Sequence, residues 1–204
     1  MAHGNVVQRF LTQQANLIQR KSFKECLGKT GTLVSHSDQA FTPNKVYVYN
    51  GACAGMCVQT MCSHVRGERP SGKEMIENVQ WLMEGGTLQR TERLLEFCRS
   101  RRINFVGHLK GNWLYDELDG GNYLTTEGGF YHLVVISPTQ GGPGHALLVY
   151  QPDAKNWCLY DPNFGTAQFP SKNGCTLAFK LVMQNLYPDF GPYFPFVIYR
   201  VSPW

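Results

Sequence analysis

Three short runs in this sequence carry the side-chain types of nucleophilic catalysis. In Asn50-Gly51-Ala52-Cys53-Ala54-Gly55-Met56-Cys57, a loop of small residues delivers Cys53 to the start of an apolar-faced helix. Unpaired N–H groups and partial positive charge at a helix N-terminus favour a thiolate, the reactive form of the side chain. In Gly141-Gly142-Pro143-Gly144-His145-Ala146-Leu147-Leu148-Val149, a glycine-rich loop ends at a histidine and an apolar strand follows at once. A histidine in a strand's mouth is held rigidly, with its ring where a nucleophile can reach it. In Trp157-Cys158-Leu159-Tyr160-Asp161-Pro162-Asn163-Phe164-Gly165, Asp161 closes a second strand. A carboxylate beside an imidazole fixes its tautomer and orientation. Together they read as nucleophile, general base and orienting acid. Taken singly, Cys53 reads as a buried helix cysteine, His145 as a polar residue opening a strand, and Asp161 as a turn residue before Pro162.

The histidine and the aspartate meet only if their strands pair. Pro152-Asp153-Ala154-Lys155 reads as a hairpin turn joining strands His145–Gln151 and Trp157–Tyr160. Antiparallel pairing then returns Asp161 to the end of the sheet where His145 begins. Further strands are expected at Lys45–Tyr49, Ile103–Val106, Phe130–Ile136 and Phe194–Val201. Helical spacing marks residues 5 to 20, with Val6, Val7, Phe10, Leu11, Leu17 and Ile18 as its apolar positions. The helix from Cys53 presents Met56, Cys57, Thr60, Met61 and His64 on one face, which turns Cys57 into the core and leaves Cys53 exposed. Ser71 and Glu74 stand at capping-box spacing before a helix cored by Met75, Ile76, Val79, Leu82 and Met83. Two more helices are expected over about 87 to 101 and about 174 to 186, and residues 22 to 45 read as loop. Helices first and an antiparallel sheet second is an α+β layout. Residues 1–44 form a helix-and-loop extension in this reading, and 45–204 the domain proper.

The composition agrees with one folded domain. Of 204 residues, 43% are apolar, 13% aromatic and 17% charged, which excludes a disordered chain. Gly at 21 and Pro at 11 suit many turns rather than a helical bundle. The formal net charge of +4 is too small and too dispersed to indicate nucleic acid. The local run of Arg90, Arg93, Arg99, Arg101 and Arg102 reads as a solvated helix face, with an acidic partner or membrane surface as the alternative. The longest apolar runs, Leu133–Ile136 and Ala146–Val149, are strand-sized, so no membrane insertion is expected. Gln and Asn near the N-terminus stand where a signal peptide has its hydrophobic region. The seven cysteines, odd in number and irregularly spaced, are expected to be free thiols.

In order and in local wording, Gly51-x-Cys53-x-Gly55-Met56-Cys57, then Gly144-His145-Ala146, then Asp161-Pro162-Asn163-Phe164-Gly165, resemble the YopT-type cysteine proteases of the papain clan. The resemblance spans about residues 45 to 200. It implies a papain-like fold with a nucleophile-bearing helix packed on a C-terminal antiparallel sheet, and a Cys53, His145, Asp161 triad that uses no cofactor and no metal. It also implies a bacterial effector or toxin, translocated into a target cell without a cleavable signal peptide. There, as a monomer, it would cleave a host protein in the target cytosol. Family members carry a tryptophan soon after the nucleophile's helix begins, and Val58 to His64 supplies none. The clan places an amide side chain a few residues before the cysteine as an oxyanion donor. Asn50 is the nearest candidate here and Asn44 the next, beside the backbone N–H of Cys53. The acidic loop Tyr115-Asp116-Glu117-Leu118-Asp119, with Glu127, suits a basic substrate segment such as the polybasic tail of a small GTPase. A merely solvated loop is the other reading.

Three rival readings keep some of these residues and change their work. The same triad serves glutamine deamidases and transglutaminases, since a thiolate attacks a carboxamide as it attacks a peptide bond. Glycines at Gly55, Gly142 and Gly144 favour peptide cleavage by admitting a main chain, whereas Trp113 or Phe164 would wall a narrower glutamine slot. Cys53, Cys57, Cys62 and His64 have the ligand types of a zinc module, though not the spacing of paired knuckles. An inactive scaffold that keeps the fold and binds a partner is the third. His3, His36, His64, His108 and His132 read as structural or surface residues, with His108 in a loop near the cleft.

Overall fold

The computed structural model describes residues 21–35, 53–67, 72–84, 87–111, 131–136, 144–188 and 195–203. Apolar runs such as Tyr131-His132-Leu133-Val134-Val135-Ile136 and His145-Ala146-Leu147-Leu148-Val149-Tyr150 are too continuous for a sheet with one wet face. Such runs need cover on both sides. The structure supplies it. Seven strands form one antiparallel sheet in the order β1-β6-β5-β4-β3-β7-β2. The strands are β1 Thr32–Ser35, β2 Ile103–Gly111, β3 Tyr131–Ile136, β4 His145–Asp153, β5 Asn156–Asp161, β6 Gly165–Phe169 and β7 Phe196–Pro203. The helices are α1, described over 21–26, α2 Cys53–Arg66, α3 Gly72–Met83, α4 Thr87–Ser100 and α5 Lys172–Leu186.

Strand alternation sends successive side chains into two cores. Val134, Ile136, Leu147, Val149 and Leu159 join Phe23, Phe179 and Val182 on the α1 and α5 side. Leu133, Ala146, Leu148, Tyr150 and Tyr160 join Cys57, Met61, Leu82 and Phe97 on the α2 and α4 side. This is the expected α+β, papain-like arrangement, with the sheet enclosed on both faces by helices. Residues 21–35 are built into it: Phe23, Cys26 and Leu27 are core residues, and β1 pairs with β6. The loop expected over 22 to 45 therefore holds a helical turn and a strand in its described part.

The α2 helix is buried almost all round, with Cys53, Gly55, Met56, Cys57, Val58, Gln59, Met61 and Cys62 covered. His64, expected on the inward face, is exposed. Gly55 is explained by packing: a Cβ there would lie 2.9 Å from Met83 Cγ and 3.4 Å from Val79. Its missing side chain lets α3 approach α2. This corrects the expectation that Gly55 leaves space for substrate. The arginine run is also partly structural. Arg93 donates to the carbonyls of Trp81 at 2.7 Å and Glu84 at 3.3 Å, closing the C-terminus of α3, and Arg101 lies 3.5 Å over the Phe97 ring.

The strands before and after the hairpin are longer or more numerous than expected. The β2 strand runs on through a bulge between Phe105 and Gly107, carrying His108 out of its expected loop and onto the strand that pairs with β7. Gly165-Thr166-Ala167-Gln168-Phe169, which has no strand-like alternation, forms β6 by pairing with β5 and β1. Pro152 lies within β4 beside the irregularity between Tyr150 and Asp153, so the turn proper is Ala154-Lys155. The Asp153 carboxylate accepts from Lys155 N at 2.8 Å and Asn156 Nδ2 at 2.9 Å, holding that turn. Residues 5 to 20, 36 to 52 with the strand expected at Lys45–Tyr49, and the loop from Trp113 to Glu127 lie outside the described residues.

Candidate active site

The hairpin does what its sequence requires. Leu148 faces Tyr160 and Val149 faces Leu159, so His145 and Asp161 stand on one face of the sheet as diagonal neighbours. His145 Nε2 lies 3.3 Å from Asp161 Oδ1 and 3.4 Å from Oδ2. Cys53 opens α2 and hydrogen-bonds to the same imidazole. With Nε2 committed to the carboxylate, Nδ1 is the ring nitrogen left for the thiol. Three residues far apart in sequence therefore meet at one end of the sheet. Cys53 and His145 are each 5% exposed and Asp161 is fully buried. The expectation of an exposed Cys53 is corrected: the start of α2 is packed beneath the histidine and against the α2-side core.

Electrostatics at the imidazole are decisive. Burial alone pushes His145 down, because a cation loses hydration. The charge of Asp161, the hydrogen bond to it, and the bond and charge of Cys53 outweigh that loss and push His145 up to about 10. At neutral pH the ring is therefore an imidazolium held between the carboxylate and the Cys53 sulfur.

Asp161 is itself well anchored. Its Oδ1 accepts from Asn163 N at 2.8 Å, and its main-chain oxygen accepts from Phe164 N at 3.0 Å, which makes the tight turn of the Asp-Pro-Asn-Phe-Gly run. Gly165 closes that turn at φ 119°, a conformation side chains resist, and starts β6. The turn role and the site role fall on the same aspartate. Tyr187, at the C-cap of α5, donates its hydroxyl to Oδ2 at 2.9 Å and Oδ1 at 3.1 Å, and accepts from Asn163 Nδ2 at 2.9 Å. Its ring stacks on His145 with centroids 4.5 Å apart and 29° between planes. Burial, and next the charge of Asp161, hold its phenol well above the usual range, so it stays a donor. The sequence offers no spacing signal for Tyr187. A coarse one exists: an aromatic hydroxyl just past an amphipathic helix must find a partner when buried.

Four other thiols are held in their protonated form by their surroundings. Cys57 is fully buried, donates to Ala146 O at 3.5 Å, and burial pushes its thiol far up. A hydrogen bond from Cys62, then burial, raises Cys98, while burial raises Cys175 and takes Cys158 to about 11. The four side chains of the zinc reading part company, since Cys62 contacts Cys98 and His64 bonds to the Tyr131 hydroxyl. Among the described residues no cluster suits a metal ion. Phe164, offered as a wall for a glutamine slot, is instead a core residue stacked on Phe23 at 4.8 Å. Asn50, Asn44, Gly142 and Trp113 lie outside the described residues.

No protein-family model and no curated protein sequence matches this chain. Solved structures do. The chain is similar to the Pseudomonas avirulence protein AvrPphB, with 13% identity and a TM-score of 0.56, over 83% of this chain and 96% of that one. It is also similar to PatoxP, a cysteine protease-like domain of the Photorhabdus asymbiotica toxin PaTox. There the identity is 14% and the TM-score 0.60, over 97% of this chain and 62% of that one. The fold is thus the papain-like fold that the resemblance of the three motifs implied.

Proposed function

We propose that this chain is a cysteine protease of the effector or toxin kind, with Cys53 as nucleophile, His145 as general base and acid, and Asp161 as the residue that orients it. The observation that carries this is the buried Cys53–His145–Asp161 chain, in which a single imidazole bridges thiol and carboxylate. The Cys53 thiolate adds to a carbonyl carbon, forming a C–S bond. The tetrahedral oxyanion is met by the backbone N–H of Cys53, with Asn50 as the proposed side-chain donor. His145 then gives its proton to the leaving nitrogen as the C–N bond breaks. In the second half, His145 takes a proton from water, whose oxygen displaces the thiolate and releases the acid. An avirulence protein and a toxin domain among the structural neighbours support a target-cell protein as substrate and delivery into that cell.

The test compares proteomes of target-cell lysates after exposure to wild-type protein and to Cys53→Ala. New N-termini that appear with the wild type alone are the expected result. Ammonia release without new N-termini would replace peptide cleavage by glutamine deamidation and leave the site assignment standing. Neither product would remove the hydrolase reading.

A further inference from the structure

We propose that Tyr187 is a positioning residue of this site: its hydroxyl fixes the Asp161 carboxylate while its ring roofs the His145 imidazole, so one side chain sets both members of the pair. The inference rests on the thiol hydrolase reading above and names what regulates that site's geometry. The His145–Asp161 contacts at 3.3 and 3.4 Å are long for charge-assisted hydrogen bonds. Nothing in a contact that loose prevents the carboxylate from turning about its own axis. The Tyr187 hydroxyl does, because it reaches both oxygens, at 2.9 and 3.1 Å. Asn163 braces it from two directions: its main-chain N–H holds Oδ1 at 2.8 Å, and its amide donates to the phenol oxygen at 2.9 Å. A hydroxyl that accepts one hydrogen bond donates the next more strongly.

The stacked ring has a second effect. It covers one face of the imidazole and keeps water out, so the pull of the carboxylate is not screened. The chain delivers this group by ending α5 one residue earlier: Leu186 is the last helical residue, and Tyr187 leaves the helix with φ −128° and ψ 49°. Among the described residues, the titratable groups facing His145 are Asp161 from β5, Cys53 from α2 and Tyr187, with Cys57 behind Cys53 and Asp161.

The experiment measures the rate of iodoacetamide alkylation at Cys53 against pH, by peptide mapping, in wild type, Tyr187→Phe and Tyr187→Leu. It needs no substrate. The phenylalanine variant keeps the roof and loses the donor. The rate at neutral pH should fall roughly tenfold, the loss of one hydrogen bond to a charged group. The alkaline limb, where His145 loses its proton, should move upward, because a carboxylate with one donor fewer concentrates its charge on the imidazole. The leucine variant also opens the ring to water, so its alkaline limb should relax downward toward the ordinary histidine range. Simple loosening of structure exposes Cys53 and the other buried thiols alike, so their rates rise together and neither limb moves. Thermal melts of both variants accompany the profiles, and if Tyr187→Leu melts early the Tyr187→Phe profile decides alone. A folded Tyr187→Phe protein with the wild-type rate and limb would overturn the inference and leave the triad reading intact. Wild-type protein whose Cys53 reacts no faster than the buried thiols would overturn both.

Discussion

The two ends of α2 each bring thiol and imidazole chemistry to the sheet, and only at one end does a buried carboxylate join them. At the N-terminus, Cys53 meets His145, and a buried carboxylate pushes that ring up to about 10. Toward the C-terminus, Cys62 lies beside Cys98, and His64 bonds to the Tyr131 hydroxyl near the Tyr150 ring. There partial burial moves the His64 imidazole down and burial moves the Tyr131 and Tyr150 phenols up, while the hydrogen bond with Cys62, then burial, moves Cys98 up, so each of these four is held toward its neutral form. The difference is one buried charge. A thiol and a histidine near each other are an inert packing element until a carboxylate makes the imidazolium stable.

Removing the imidazole from each end is the largest test of this contrast. His145→Ala should lose roughly a thousandfold or more of turnover, since both proton transfers go with it. Asp161→Asn removes the charge and keeps the shape of the turn, as the amide oxygen can still accept from Asn163 N. Turnover should fall about ten- to a hundredfold, less than for His145→Ala, with the fold retained. Full activity in Asp161→Asn would reduce Asp161 to a turn residue.

Stability against pH reads the same charge without any substrate. His145 holds its proton to about pH 10 in the folded protein, and near 6.5 when unfolded. Its contribution is therefore complete below pH 6.5 and fades as pH rises toward 10. Between those limits the melting temperature of the wild type should fall by at least a few degrees more than that of His145→Ala. Equal slopes would mean that the ring is neutral in the folded state. The smallest effect belongs to the other end. His64→Ala should leave turnover within about twofold and cost about 1 kcal/mol of stability for the lost bond to Tyr131, measured by denaturant titration.

What could be read in the sequence follows the same division. The convergence of Cys53, His145 and Asp161 was legible because each opens or closes an element, and the hairpin geometry that joins two of them is local. The helices α2 to α5 were legible from apolar spacing and the central strands from their apolar runs. Tyr187 was not, since nothing in spacing links a residue just past α5 to a pair on β4 and β5. Gly55 and Phe164 were read as lining a substrate groove, yet α3 and Phe23 claim them by packing. Small and aromatic residues beside a reactive group look the same in sequence whether they face substrate or core. The β6 strand stayed hidden because Gly165 and Ala167 are poor strand formers and the run is held by partners on both edges.

We propose that partnership with a buried imidazolium, rather than exposure, makes Cys53 the reactive one of seven buried thiols. Alkylation with limiting iodoacetamide at neutral pH, followed by peptide mapping, measures that directly. Cys53 should be labelled first although it is only 5% exposed, and His145→Ala should abolish the preference. Preferential labelling of Cys57, Cys98 or Cys175 would contradict it.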